Sequence, residues 1–203
     1  MFAVSVLAGP RLPETMVTHW SAAGQPDDTM SKFWGQYFMP LLTLGVVGLL
    51  FLSPRVDPRR ENIEAFRPLY NDFVVLLTAF LAVAHGVVLA WNSGYDVPIN
   101  SVIFAGVGLL VFYTGLLLER AQQNWVVGIQ TPWTLSDEQV WARTHEVGAQ
   151  LFKLAGVLAF VGAFAPRYAV VFVVAPVLLV SLGLVAYSYY LYEQEADADG
   201  PAA

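Results

Sequence analysis

Five stretches of this chain are apolar for the length of a bilayer, and that constrains its fold more than anything else in it. They run Phe33 to Ser53, Phe73 to Trp91, Ile99 to Leu118, Val147 to Ala165 and Ala169 to Tyr190. A helix needs about 20 such residues to cross the hydrocarbon layer. Inside that layer the backbone must satisfy its own hydrogen bonds, which leaves helices and closed barrels. The stretches lack strict alternation and are too long for barrel strands. The expected fold is therefore all-α, a polytopic helical membrane protein with five full spans. Composition agrees: 57% of residues are hydrophobic and only 13% charged, about half the charged share of a soluble domain. Pro40, Gly86, Gly106, Gly108 and Pro176 interrupt the runs, and bilayer helices tolerate such residues.

Basic residues orient the spans. Arg55, Arg59, Arg60, Arg67, Arg120, Arg143 and Lys153 fall on one side, and Arg11, Lys32 and Arg167 on the other. The richer side is expected to be cytoplasmic. Residues 1–32 then hold a short N-terminal helix and an extracytoplasmic loop, in which Pro13, Gly24, Pro26 and Asp27-Asp28 break regular structure. The opening MFAVSVLAG is too short to span and is read as a truncated first helix whose remainder lies upstream. Residues 33–118 form three spans, and Arg60 to Tyr70 between the first two reads as a short interfacial helix. Residues 119–146 form a cytoplasmic insert, and 147–192 a second hairpin turned at Pro166-Arg167-Tyr168. Residues 193–203, EQEADADGPAA, form an acidic, low-complexity tail expected to be disordered.

The insert carries the densest pattern. NWVVGIQTPWTLSDEQVWARTH, Asn124 to His145, is polar and rich in tryptophan between two apolar runs. Thr131-Pro132 biases the backbone to an extended turn. Ser136 with Gln139, or Thr134 with Asp137, has the spacing of a capping box. The helix that follows places Val140, Trp141, Thr144 and Gly148 on one face. On spacing alone this is an interfacial amphipathic helix with aromatic anchors at headgroup level.

Other residues stand out singly. His85 lies midway along an apolar span, where an ionisable group marks either function or a bond to a neighbouring helix. In the outer loop, His19 and Trp20 lie near Asp27, but one His with two carboxylates is no metal signature. Cysteine is absent, so disulfides and thiolate sites are excluded. No metal or cofactor is expected. The net charge of −6 argues against direct contact with nucleic acid. Two lysines, Lys32 and Lys153, stand among ten basic residues with an acidic surplus, a composition that suggests a halophile. No Gly-x-Ser-x-Gly, His-Glu-x-x-His or P-loop is present, so an enzyme is not expected.

The insert resembles the signature of the SdpI family. That pattern is Asn-x-x-(aromatic or aliphatic)-Gly-Ile-Arg-Thr-Pro-Trp-Thr-Leu, followed by a Trp and, four residues on, a His. Asn124, Gly128, Ile129, Thr131, Pro132, Trp133, Thr134, Leu135, Trp141 and His145 fit it. Gln130 stands where the family usually has Arg. The outer segment LPETMVTHWSAAGQPDD is similar to the small domain of unknown function that commonly precedes the signature, through Leu12, Pro13, His19, Gly24 and Asp27.

The resemblance implies a membrane immunity protein. The family takes its name from the protein that resists the sporulation-delaying toxin, a secreted peptide, and that holds a winged-helix repressor at the membrane. A small transporter or channel and a membrane-embedded hydrolase are the alternatives. A transporter would show charges along a bilayer path, and a hydrolase a catalytic pair. The assigned orientation is tested by Ser136→Cys and Ser21→Cys. An impermeant thiol reagent applied to intact cells should label only the Ser21 variant, and labelling of both would overturn the orientation.

Overall fold

The computed structural model describes residues 1–165 and 168–198. The assigned turn residues Pro166 and Arg167, and residues 199–203 of the tail, lie outside them. The described residues form a helical bundle with one small β-hairpin at one end. In order they are α1 (Phe2–Ala8), β1 (Thr15–Trp20), β2 (Pro26–Ser31), α2 (Lys32–Val56), α3 (Arg60–Glu64), α4 (Arg67–Asn92), α5 (Ile99–Leu118), α6 (Pro132–Ser136), α7 (Glu138–Gly162) and α8 (Ala169–Ala198). Among the described residues four helices are long and apolar enough to cross a membrane: α2, α4, α5 and most of α8. Their outer faces are apolar. Leu44, Leu49, Leu179 and Leu182 are each at least 66% exposed, as suits a protein solvated by lipid. This is a multi-pass helical membrane protein.

Several boundaries differ from expectation. The fifth assigned span, Val147 to Ala165, is not an independent element. Its residues as far as Gly162 belong to α7, one unbroken helix that begins at Glu138 and carries polar residues as far along as Lys153, which leave it less apolar than the other four. The interfacial amphipathic helix is accordingly the first half of that same helix. The short helix expected over Arg60 to Tyr70 breaks at Ala65 and Phe66, and α4 runs from Arg67 straight into its span. The outer loop is a β-hairpin: β1 and β2 pair antiparallel from Thr15↔Ser31 to Trp20↔Pro26. Its turn is closed by Ser21 and Gln25 and needs the positive φ of Gly24 (78°). The tail expected to be disordered is helical as far as it is described. Glu193 to Ala198 extend α8, with Glu195 paired to Arg143 of α7 at 3.1 Å.

Prolines explain why α1 and α4 sit where they do. Pro40 and Pro54 lie inside α2. Each lacks the N–H that would bond the carbonyl four residues back, freeing Gln36 O and Leu50 O. Ser5 of α1 donates its hydroxyl to Gln36 O (2.8 Å), and the Gln36 side chain returns a bond to Ser5 O (3.0 Å). Tyr70 of α4 donates to Leu50 O (2.5 Å). The hydroxyl proton of Ser5 is thus committed, so His85 Nε2, 2.8 Å from Ser5 Oγ, is the donor in that contact. His85 is a bond between α4 and α1, fully buried, with Nδ1 left without a partner.

The hairpin is seated by comparable bonds. Asn92 at the end of α4 accepts from Val17 N–H and donates to Val17 O, both at 2.8 Å, as a neighbouring strand would. Met16 is fully buried over Gly35 of α2, where an added Cβ would lie 2.7 Å from the Met16 sulfur.

The closest packing joins α5 and α7, antiparallel through small residues. A Cβ on Gly108 would meet Phe160 N at 2.5 Å, and one on Gly156 would meet Phe112 N at 2.3 Å. Between membrane helices there is little hydrophobic gain from association, so close backbone approach is what holds them. Gly156→Ala should therefore destabilise the bundle by about 1–3 kcal/mol through overpacking. Gly45→Ala, with nothing near its Cβ, should be neutral or slightly stabilising. Thermal unfolding in detergent distinguishes the two, and equal melting points would overturn the packing role.

Candidate functional site

The insert has no strand and only one short helix of its own, α6, yet nearly every signature side chain in it is bonded. Asn124 is fully buried and builds its loop. Its amide donates to Gln122 O (2.7 Å) and Val127 O (2.9 Å), and its oxygen accepts from Val126 N–H and Val127 N–H. Asn is suited to this because it offers two donors and an acceptor on one short arm. Gly128 follows with φ 134°, and any Cβ there would strike His145 Nε2 at 2.5 Å and the Trp141 ring at 2.7 Å. The position needs glycine for conformation and for space.

The turn is a cap. Thr131 is the N-cap of α6 and forms a reciprocal capping box with Thr134 around Pro132. Thr134 Oγ1 also donates to Ile129 O (2.7 Å). Asp137, not Thr134 or Ser136, then caps α7, accepting from Gln139 N–H and Val140 N–H. Two contacts fasten the turn to α8. The Thr131 and Ser188 hydroxyls lie 3.2 Å apart, and Trp133 meets Tyr189 edge-on with ring centres 5.1 Å apart. Gln130 is exposed at the surface of the turn.

Trp141 and His145 are brought together as their spacing suggested. Their rings stack at 3.8 Å and 18°. Trp141 donates to Ala121 O (2.9 Å) and joins Ile63, Phe66, Tyr70 and Leu117 in the apolar cluster under the insert. His145 accepts at Nε2 from Ile129 N–H (3.0 Å), so Nδ1 carries the proton and donates to Trp141 O (2.8 Å). Both ring nitrogens are spent on backbone groups, leaving neither for a metal or for proton transfer to a substrate. A polar cleft of about 600 Å³ opens beside the pair, lined among others by Asn62, Arg120, Gln123, Glu138 and Glu146.

A clamp from the other loop carries no signal in the sequence. Asp57, buried just past α2, accepts from Arg59 N–H (2.6 Å) and from Trp125 N–H (2.8 Å). Asn62 donates to Gln123 O (2.7 Å), Gln123 to Thr134 O (2.6 Å), and Arg59 to Leu135 O (3.3 Å). At the opposite end, His19 and Asp27 form an exposed pair at 2.5 Å, and Asp28 bonds Thr29 N–H. Pro13 is exposed, and Trp20 packs edge-on against Trp91 at 5.8 Å. Among the described residues no group of His, Asp and Glu is placed to hold a metal ion.

Residues 120–189 match the SdpI/YfhL protein family, a segment that begins with the insert and closes on Ser188 and Tyr189, the α8 residues that hold it. Residues 1–44 match the domain of unknown function DUF1648. The chain is similar to the SdpI/YfhL family over the first of these segments. It is 27% identical over 194 residues, 95% of this chain and 91% of the relative, to the protein named immunity protein SdpI of Bacillus subtilis (strain 168). No solved structure gives a significant match.

His145 makes the site acid-sensitive. Desolvation by burial pushes its imidazole from 6.5 down to about 4, against a smaller opposing effect of the bond to Trp141 O. Between those values the unfolded chain binds the extra proton and the folded chain does not. The stabilisation is therefore complete above pH 6.5 and lost as pH falls through about 4, a loss on the order of 3 kcal/mol. His145→Gln should be less stable than wild type at neutral pH and flatter between these limits. Parallel pH profiles of the two melting points would exclude His145 as the origin.

Proposed function

We propose that this chain is a membrane immunity protein that protects its producer from a secreted, membrane-active peptide without degrading it. The observation that carries this reading is the match to the Bacillus immunity protein, which runs almost end to end through hairpin, spans and insert. The chemistry of the insert is consistent with it. Its polar side chains are engaged with backbone groups in a packed receptor-like frame, and His145 has no free nitrogen to serve as a base. A transport path would need the groups that are tied here: His85 is bonded to Ser5, and Lys153 to Glu119 at 3.3 Å.

In this reading the insert and the described end of α8 face the cytoplasm and the hairpin faces outward. A peptide that prefers one arrangement of the bundle shifts the population toward it, and equal affinity for both arrangements would shift nothing. The signal reaches a winged-helix repressor, as the family resemblance implies, through the polar cleft beside Trp141 and His145. The insert suits that role because its contacts to α8 and to the Asp57 loop are few and directional.

The experiment is expression in a sensitive host, challenge with a secreted membrane-active peptide of the sporulation-delaying type, and recovery of the peptide. Survival above vector with intact peptide is the expected result. Cleaved peptide would move the protein to the hydrolases, and survival equal to vector would remove the immunity reading.

A further inference from the structure

The hairpin end of the bundle contains a second cavity, of about 500 Å³, between β1, β2 and helices α2, α4 and α5. Its volume lies in the range of ligand pockets, and its polarity is graded. Polar residues occur at the hairpin rim, as Thr18, His19, Ser21 and Asn100. The walls below are apolar, with Trp34 and Phe38 on α2, Val88 on α4 and Phe104 on α5. Two rim residues carry buried polar atoms without a partner, Thr18 Oγ1 and Trp20 Nε1. A buried indole N–H left unbonded forfeits roughly 1–3 kcal/mol, so an acceptor belongs there. Thr18 sits at a register shift of the hairpin between Val17 and His19, and such bulges commonly redirect a side chain at a binding site.

We infer that this crevice holds one acyl chain of a neutral-headed glycerolipid, its ester carbonyl accepting from Trp20 Nε1–H and Thr18 Oγ1–H and its hydrocarbon running down between α2, α4 and α5. Three features select this ligand. The unpartnered indole can only donate, which calls for a carbonyl-type acceptor. No Lys or Arg lines the crevice, so nothing compensates a phosphate or carboxylate there. The walls belong to three of the helices that cross the membrane, so lipid is the solvent on their outer faces. From Ile99 to Phe104 the α5 wall is six residues long, a depth of about 8 Å, which accommodates the upper part of a single chain. His19 does not alter the charge argument, because its ring is already paired with Asp27.

The test uses the full chain in phosphatidylcholine nanodiscs with a small fraction of phosphatidylcholine bearing a diazirine in the upper part of one acyl chain. After irradiation, labelled residues are mapped by mass spectrometry. The expected result is labelling of Trp34, Phe38 and Phe104 several-fold above Leu44 and Leu49, which face bulk lipid. Trp20→Phe keeps the ring and removes the donor, and should lower crevice labelling while leaving Leu44 and Leu49 unchanged. Ala84→Leu, which fills the wall without touching the rim, should also lower it. Crevice labelling no higher than at Leu44 and Leu49 would overturn the site. Labelling by a diazirine fatty acid that matches or exceeds that by the phosphatidylcholine probe would overturn the ester-headed assignment. Labelling insensitive to Trp20→Phe would remove the indole as the contact.

Discussion

Backbone carbonyls have nowhere to go in a bilayer, and this protein is organised around two that its own sequence sets free. An unbonded carbonyl in hydrocarbon is worth several kcal/mol, so Pro40 and Pro54 within α2 would be a serious defect if left alone. Instead Ser5 and Tyr70 supply hydroxyls to Gln36 O and Leu50 O. One bond places α1 and, through it, His85. The other places α4, whose Tyr70 also belongs to the apolar cluster beneath the insert. These two prolines thus act as attachment points, and they account for Ser5, Gln36 and Tyr70 before any functional role is needed.

The two ends of the bundle are built on different physics. At the insert the side chains bond to backbone: Asn124, Thr134, Gln123 and His145 all satisfy main-chain groups of a segment that has no ladder of its own. Under it lies the close glycine contact of α5 and α7, which supplies a rigid floor. At the hairpin end the packing is looser and apolar, with Met16 and Leu89 in a small cluster and a crevice beside them. A segment defined by directional bonds has few alternative arrangements, whereas one defined by apolar contact can repack around a guest.

Much of the architecture was legible in sequence, for reasons that differ by residue. The four spans follow from hydropathy, which measures what a bilayer selects, and α5 begins and ends where expected, at Ile99 and Leu118. The pairing of Trp141 with His145 follows from helical spacing. The β-hairpin was hidden because β2 is polar and exposed and β1 lacks strict alternation, with Pro26 and Gly24 giving turn signals that do not say what they connect. The unbroken α7 was hidden because its amphipathic and apolar halves meet without a breaker, so periodicity alone suggested two elements. Asp57, Gln123 and Ser188 carry no local signal at all. Each acts on a group distant in sequence, and only the folded chain shows that partner. The helical end of α8 ran against composition, since acidic residues that read as solvated tail find Arg143 on the neighbouring helix.

One consequence concerns α2. It begins at Lys32, directly after the hairpin, and ends at Val56, directly before the Asp57 that grips Trp125. Twenty-five residues of helix make a rod of about 37 Å. A lever of that length turns a tilt of about 5° at one end into a displacement of about 3 Å at the other. That is as long as the Asp57 to Trp125 bond itself, 2.8 Å. Asp57 therefore holds Trp125 within the reach of a rigid tilt of α2, and Pro40 and Pro54 are the points at which the helix can bend instead.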